Sequence, residues 1–217
     1  LIEANRERRR LQDEAYERGI ELLDSELSKG DFVIVEINDS HEGVLGIVAG
    51  KLREKINRPV IVISKNENTY KGTGRSIPGV DLFSMLDKYR DRFISFGGHS
   101  AACGFTIEAD KKQQLRDDLN EDLRKACAEE PALLEERYES DAQISCDEID
   151  LGLAEAIELL EPCGKDNEIP VFAIRDVAVE GWRFLRDDRS MAKFRLRSEN
   201  GTYVDAVLFR DAASAYE

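Results

Sequence analysis

The chain has 217 residues, of which 41% are hydrophobic and 35% are charged, a composition typical of a globular protein with room for two small domains. Its apolar runs are far shorter than the roughly 20 residues that a membrane helix needs, and it shows no secretory signal. We therefore expect a cytoplasmic protein with no membrane partner. The net charge of −14 opposes nucleic-acid binding over the whole surface, because DNA-binding domains are usually basic.

The four cysteines are scattered and form no Cys-x-x-Cys pair. That spacing favours reduced thiols over a disulfide framework or a zinc site. We therefore expect no metal ligands among them.

The first part of the chain alternates strand-like and helix-like segments, which predicts an α/β domain over residues 29–130. Asp81 is the expected N-cap of one helix, and Asp110 with Gln113 has the spacing of a capping box before another. The predicted elements are a helix over 4–28, a strand over 32–37, a helix over 43–56, a strand over 60–63, a short strand through Tyr70, a helix over 82–96, a strand over 104–107 and a helix that carries Leu115, Leu119, Leu123 and Ala126.

An acidic stretch over 129–139 predicts a boundary, and the pattern changes after it. Ser145 and Glu148 fit a capping box, which predicts a helix continuing through Leu160. Short segments with alternating polarity follow, over 171–174, 177–185, 191–197 and 203–209. Period-two patterning predicts a small β-barrel or meander over 137–217. We expect this barrel to be incomplete, because only three or four strands are present.

Two histidines lie beside glycines at the ends of predicted elements. His99 follows Gly97 and Gly98 and precedes Ser100, where exposed backbone N–H groups and the imidazole suit a phosphate oxygen. His41 precedes Gly43 at a strand-to-helix junction, where the helix dipole favours anions. A tight turn with a buried histidine is the structural alternative for the first of these motifs.

A third motif runs from Lys71 through Gly74, Arg75 and Ser76. Arginine offers a planar fork and lysine a point charge for phosphate, and the hydroxyl adds a neutral donor. The spacing is not that of a Walker A loop. A solvated turn remains the alternative reading of this motif.

The order of these motifs resembles the DHH-associated domain of RecJ-type single-strand-DNA exonucleases. Residues 5–9 resemble the helix that joins that family's catalytic domain to this one, and residues 160–172 resemble the start of the OB-fold that follows. The chain departs from the family at Ser40, where an aromatic residue is frequent, and at Cys163, where phenylalanine is common. The resemblance implies a fold of a DHH-associated α/β domain followed by a small, incomplete OB-fold, with residues 1–28 as the linker helix.

The resemblance implies stepwise 5′→3′ hydrolysis of single-stranded DNA in repair and recombination. The family binds Mn²⁺ or Mg²⁺ through a catalytic domain named for an Asp-His-His triplet, which this chain lacks. We therefore expect the chain to bind no metal, to be inactive alone, and to have single-stranded DNA and an N-terminal DHH catalytic domain of the same protein as its partners.

In that reading His99 positions a phosphate near the scissile bond and supports catalysis. The other substrate-binding residues expected in this domain are His41, Gly43, Lys71, Gly74, Arg75, Ser76, Gly97, Gly98 and Ser100. In the barrel, Phe194 is expected in the core, whereas Arg195 and Arg197 on the opposite face are expected to contact DNA.

Two alternatives remain open at this stage. One is a DHH-family phosphodiesterase acting on short oligonucleotides or cyclic dinucleotides, which the barrel-like segment disfavours because small substrates need no strand grip. The other is a protein-interaction module that uses the acidic surface over 108–150.

Overall fold

The computed structural model describes residues 2–38, 40–164 and 166–209. The chain divides into two compact units, Leu1–Glu136 and Arg137–Glu217.

A five-stranded sheet organises the first unit, with strand order β1-β2-β3-β5-β4. The pair β1–β2 is parallel, and the remaining pairs are antiparallel. The elements are α1 (Ile2–Leu27), β1 (Val33–Glu36), α2 (Glu42–Ile56), β2 (Val60–Asn66), β3 (Thr69–Arg75), α3 (Leu82–Asp87), β4 (Phe93–His99), β5 (Ala102–Glu108) and α4 (Lys112–Glu129), with 3₁₀ turns at Arg90–Arg92 and Ala109–Lys111.

Helices cover the two faces of this sheet unequally. Side chains alternate along β1 and β2, so Val33 and Val62 face the apolar layer under α1 and α2, while Ile34 and Ile61 face the layer that includes residues of α3 and α4. On the α2 side, β5 and β4 carry exposed residues such as Gly97. Part of the sheet therefore stays open on the face that α1 and α2 cover elsewhere.

The predicted helix over 82–96 is wrong beyond its first turns. Asp81 does cap α3, accepting from the Ser84 backbone N–H at 3.0 Å, but α3 ends at Asp87 and Phe93 begins β4. A register shift between Phe93 and Ser95 places an extra residue in the strand. This bulge lets Phe93 and Phe96, three residues apart, both pack against the same core. The helix was predicted from the inward spacing of Leu82, Leu86, Tyr89 and Phe93, and all four do contact this core.

The start of α4 also differs from the prediction. Asp110 lies in a 3₁₀ turn, and Lys111 occupies the N-cap position without a side-chain hydrogen bond to the helix. Three of the four predicted apolar positions, Leu115, Leu119 and Leu123, are buried, and the fourth, Ala126, packs partly buried against the same core.

The second unit contains β6 (Ala142–Gln143), α5 (Leu151–Glu158), β7 (Phe172–Ala173), β8 (Val177–Phe184), β9 (Ala192–Ser198) and β10 (Tyr203–Leu208). Strands β8, β9 and β10 form an antiparallel sheet, and β6 pairs in parallel with β7. Over the described residues of this unit the strands do not close into a barrel.

The helix predicted from Ser145 through Leu160 is divided in the structure. The capping box of Ser145 and Glu148 is present, but it opens a 3₁₀ turn at Cys146–Glu148. Asp150 then caps α5, accepting from the Leu153 backbone N–H at 2.8 Å.

All four cysteines are free thiols. Within the described ranges, no helix is long and apolar enough to cross a membrane.

Candidate nucleic-acid interface

The open face of β3, β5 and β4 brings together the polar residues of two predicted motifs. In the row nearest the β4–β5 turn, Arg75 pairs with Ala102, which pairs with His99. Residues that are directly paired across neighbouring strands project to the same face of a sheet, so the side chains of Arg75 and His99 lie on one face. Two strand spacings of about 4.8 Å separate their backbones, a span suited to a phosphate group contacted from both sides.

Small residues form the floor of this face. In the next row, Thr73 pairs with Gly104 and Gly104 with Gly97. A Cβ atom added at Gly97 would meet nothing within 4 Å, and one at Gly104 would meet only the Gly72 carbonyl oxygen, at 3.8 Å. A ligand can therefore approach the backbone closely here.

Helix α2 forms one wall beside this floor. A Cβ atom at Gly46 would lie 3.0 Å from Nη2 of Arg75, so the absence of a side chain makes room for the guanidinium. Arg75 donates from Nη1 to the Gly74 carbonyl oxygen at 2.8 Å. Among the described residues no carboxylate pairs with it, so its charge is available to an anion.

Each histidine uses one ring nitrogen to fix its own loop. His41 is the N-cap of α2, and its Nδ1 accepts from the Gly43 backbone N–H at 3.1 Å. His99 Nδ1 accepts from the Ala101 backbone N–H at 3.4 Å. A neutral imidazole that accepts at Nδ1 carries its proton on Nε2, so both exposed rings can offer a second donor to a ligand.

Lys71 lies on the same face, two rows from Arg75, and its Nζ pairs with the Glu42 carboxylate at 2.9 Å. This ion pair joins the first turn of α2 to β3 beside a cleft of about 240 Å³, whose lining includes Thr73, Ser95 and Thr106. Since Glu42 offsets the charge of Lys71, we expect Arg75 to contribute more than Lys71 to anion binding.

Three predicted contact residues are not brought to this face. A Cβ atom at Gly74 would lie 2.7 Å from Cδ2 of Leu82 and one at Gly98 would lie 2.6 Å from Cα of Cys103, so both glycines permit close packing. The Ser76 hydroxyl is buried and donates to the Val80 carbonyl oxygen at 2.6 Å. Gly74, Gly98 and the Ser76 hydroxyl therefore have packing roles in the sheet and its loop, and direct phosphate contact by these three residues stays a prediction.

Ser100 and Ala101 form the tight turn between β4 and β5, but His99 is exposed and not buried as the structural alternative expected. This turn lines a second cleft, of about 550 Å³, together with the 76–81 loop and Arg53 of α2. We call it the hairpin-end cleft. No sequence motif pointed to Arg53, whereas the Thr73 hydroxyl was an expected neutral donor beside Arg75, and Gly104 belongs to the motif that carries His99.

Two pKa shifts near this face have clear causes. Burial raises the pKa of the Cys103 thiol, which therefore stays protonated and is a poor nucleophile. Hydrogen bonds from the backbone and side chain of Ser84 lower the pKa of Asp81, which keeps a negative charge at the edge of the hairpin-end cleft.

In the second unit, Arg195 and Arg197 lie on one face of the β8–β10 sheet, opposite Phe194. The ring of Trp182 stacks on Phe194 with centroids 6.5 Å apart, so these aromatics pack against each other. On the other face, the Arg195 guanidinium lies 4.9 Å from the Tyr203 ring centroid, and Arg197 pairs with Glu180. On this basic face the Tyr203 ring can stack with a base, and the positive charge of Arg197 is partly offset by Glu180.

A divalent metal site does not fit the part of the chain that the structure describes. No group of three or more His, Cys, Asp or Glu side chains is placed there to hold a metal ion.

Family comparisons identify both units. The DHHA1 domain matches residues 29–125, and the RecJ OB domain matches residues 140–217. The chain belongs to the RecJ family. The predicted order of a DHH-associated α/β domain and an OB-type domain is thereby confirmed.

This RecJ-family chain is similar to the single-stranded-DNA-specific exonuclease RecJ of Bacillus subtilis, with 29% identity over 211 residues, covering 96% of the chain and 26% of that protein. It is 34% identical over 137 residues to the Salmonella typhimurium RecJ, covering 61% of the chain and 23% of that protein. The chain therefore spans about a quarter of the length of these relatives.

A crystal structure of RecJ from Thermus thermophilus in complex with Mn²⁺ has a similar fold. It superposes with a TM-score of 0.65 at 26% identity, covering 93% of the chain and 28% of that structure. A second structure of RecJ from the same organism, in complex with Mg²⁺, gives a TM-score of 0.60 at 25% identity, covering 93% of the chain and 30% of that structure.

Proposed function

We propose that this chain is the substrate-binding region of a single-stranded-DNA-specific exonuclease that acts 5′→3′ in DNA repair and recombination. The observation that carries the proposal is the row of Arg75, Ala102 and His99 above a glycine floor. Arg75 supplies a guanidinium at one end of this row, and His99 supplies an imidazole Nε2–H at the other end. Both are donors suited to phosphate oxygens.

The open face favours a single strand over a duplex. The backbone of the floor is accessible at Gly97 and Gly104, while α2 stands beside it as a wall. A floor of this kind beside one wall would suit a single sugar-phosphate backbone. His99 and Arg75 would hold phosphates and orient the strand toward the reacting bond, with His41 extending the same site.

The hydrolytic step would belong to residues outside this chain, because its described residues hold no cluster of metal ligands. The RecJ structures in complex with Mn²⁺ and Mg²⁺ support divalent-metal use by the whole enzyme. A pair of such ions would activate water and stabilise the leaving oxygen. The contribution of this chain would be to position the phosphates for that chemistry.

The basic face of the second unit would grip the strand further along. Arg195 stacked on Tyr203 resembles the aromatic and cationic platforms on which OB-folds hold single strands. With a net charge of −14 and few phosphates contacted, binding by the chain alone should be weak and its salt dependence shallow. In the cell we expect a cytoplasmic enzyme whose partners are single-stranded DNA and its own DHH catalytic domain.

The proposal is tested by the affinity of the chain for an oligothymidylate, a dinucleotide and a blunt duplex of matched sequence. We expect the order single strand, then dinucleotide, then duplex. Arg75→Gln should weaken binding of the single strand, and Lys55→Gln, which removes a charge from an exposed position of α2, should not. Equal affinity for the duplex would contradict a single-strand site.

The phosphodiesterase alternative is less well supported, because the RecJ OB domain matches the whole second unit apart from its first residues. A dinucleotide is too short to need the additional binding surface that the second unit would provide. Binding of the dinucleotide as tightly as the oligothymidylate would favour this alternative.

A further inference from the structure

Arg53 carries the one buried side-chain nitrogen or oxygen that lacks a hydrogen-bond partner in the described ranges. That atom is its Nε. Native structures leave few such donors unpaired, and each calls for a physical explanation. The guanidinium has one carboxylate partner, Glu54, whose Oε1 lies 3.2 Å from Nη2. Glu54 is adjacent in sequence and 68% exposed, so this pair does not satisfy the buried end of the side chain.

The Arg53 side chain lines the hairpin-end cleft. The cleft has a volume of about 550 Å³, enough for a nucleotide unit. Its walls combine apolar atoms of Ile77 and Pro78 with the exposed Ser100 at the turn. A phosphate, a sugar edge and a base edge would find suitable surfaces here, because nucleotide sites mix apolar walls with a few placed polar groups.

The cleft begins where the row of Arg75 and His99 ends. Ser76 follows Arg75 and Ser100 follows His99, and both line the cleft. Arg53 reaches it from α2, the same helix that stands beside Arg75 at Gly46. A strand whose phosphate lies on the row would therefore place its neighbouring nucleotide at the cleft.

We propose that Arg53 binds a second phosphate of the DNA strand, the one adjacent to the phosphate held by Arg75 and His99, so that the hairpin-end cleft is a second nucleotide subsite. This inference rests on the proposed function of the open face. Arg53 acts as a substrate-binding residue, because its side chain lines the cleft and its planar guanidinium fork fits phosphate oxygens.

The charge of Asp81 limits what the cleft can accept. Its lowered pKa keeps the carboxylate ionised, and its oxygens are used by the N–H and hydroxyl of Ser84. A second anion in the cleft must therefore lie on the Arg53 side. A diester, with one negative charge, suits this site better than a terminal phosphate with about two.

The test compares thymidine 5′-monophosphate, which has one phosphate, with a 5′-phosphorylated thymidine dinucleotide, which has two. Binding of each to the chain is measured by calorimetry for the wild type, Arg53→Gln, Arg75→Gln and the control Lys55→Gln. Arg53→Lys adds a variant that keeps the charge but loses the fork. Thermal unfolding of every variant checks the fold.

We expect Arg53→Gln to weaken binding of the dinucleotide about tenfold and to leave binding of the mononucleotide unchanged. Arg53→Lys should recover only part of the loss, whereas Arg75→Gln should weaken both ligands. For an oligothymidylate, Arg53→Gln should also reduce the slope of log affinity against log salt by about 0.7, the value for one phosphate contact.

An unchanged dinucleotide affinity in Arg53→Gln, with the expected loss in Arg75→Gln, would overturn the second subsite and leave the proposed function standing. If the wild type bound neither nucleotide nor oligothymidylate, both the subsite and the proposed function would be overturned. An equal loss for both ligands in Arg53→Gln would place Arg53 at the first phosphate and contradict the inference.

The Arg53 Nε–H resonance in a ¹H–¹⁵N spectrum gives an independent readout. We expect it to shift on addition of the dinucleotide and to stay in place on addition of the mononucleotide. A structural role alone would leave it unmoved by either ligand.

Discussion

His41 and His99 hold their loops by the same local contact, an imidazole Nδ1 that accepts the backbone N–H of the residue two positions ahead. The donors are Gly43, at 3.1 Å, and Ala101, at 3.4 Å. One contact caps α2, and the other closes the turn between β4 and β5. The two contacts fix the tautomer of each ring, because a neutral imidazole with an accepting Nδ1 is protonated on Nε2.

We expect the N-cap at His41 to contribute to the stability of the first unit. Replacing His41 with alanine removes the acceptor for the Gly43 N–H and should lower the free energy of unfolding by about 0.5–2 kcal/mol. Urea unfolding followed by circular dichroism measures this change. His41→Asn keeps a good N-cap and should restore stability. If oligothymidylate binding stayed weak in the restored variant, the ring itself would contribute to binding, as proposed. Full binding in His41→Asn would reduce the role of His41 to capping.

Gly97 and Gly98 provide a matched pair of substitutions. Gly98 has φ +150°, and a Cβ atom there would lie 2.6 Å from Cα of Cys103, so Gly98→Ala should cost about 1–3 kcal/mol of stability or more. Gly97→Ala meets open space and should unfold near the wild-type temperature. Its methyl group lies on the floor of the open face, so single-strand binding should fall. Wild-type binding by a folded Gly97→Ala protein would show that the strand does not use this floor.

We expect the free energy of unfolding to fall in acid because of the Glu36 carboxylate. Burial alone would raise its pKa, but hydrogen bonds from Lys112, Asn38 and Tyr70 outweigh burial and hold the pKa below its usual value. A carboxyl group with a lowered pKa stabilises the fold above its unfolded pKa of about 4.3, and this stabilisation is lost as the pH falls through the folded pKa.

Glu36→Gln should therefore flatten the loss of stability below about pH 4.3. Near neutral pH it should lower the free energy of unfolding by about 1–2 kcal/mol, because Lys112 and Tyr70 lose a charged acceptor. Urea unfolding at a series of pH values measures both effects. An acid transition as steep as that of the wild type would assign the sensitivity to another group.

The buried ion pair of Glu26 and Arg116 joins α1 to α4, and we expect it to contribute strongly to the free energy of unfolding. Arg116 is 6% exposed, pairs with Glu26 of α1 and donates from Nη2 to the Ile34 carbonyl oxygen at 2.9 Å. Glu26→Ala leaves the arginine charge buried without its partner and should cost about 3–5 kcal/mol. Glu7→Ala, which breaks an exposed pair with Arg10, should cost far less stability, because exposed ion pairs are screened by solvent. Similar losses in the two variants would contradict a buried anchor.

Sequence patterns predicted most of the α/β domain because its elements carry strong local signals. The buried run at Val60–Ile63 and the spacing of Leu115, Leu119 and Leu123 are of this kind. The helix predicted over 82–96 was wrong because Phe93, the last of its expected inward positions, reaches the core from β4, where a bulge follows it. Such an insertion depends on pairing with β5, which local periodicity does not encode.

The candidate site was predicted in part. The motifs identified Arg75 and His99, whose shared row depends on strand pairing with Ala102. They did not separate Gly97 from Gly98, because adjacent strand residues face opposite sides and the register decides which side is open. Arg53 belongs to no sequence motif. Its place in the cleft and its unpaired Nε depend on tertiary packing, which local sequence does not show.

The central claim is that His99 positions a phosphate for hydrolysis. It is tested most directly by kcat for single-stranded DNA in the complete exonuclease that contains this region, with His99→Ala compared with the wild type. We expect kcat to fall about 100-fold, with divalent-metal binding and thermal stability unchanged. A His99→Ala enzyme with wild-type kcat would contradict the claim.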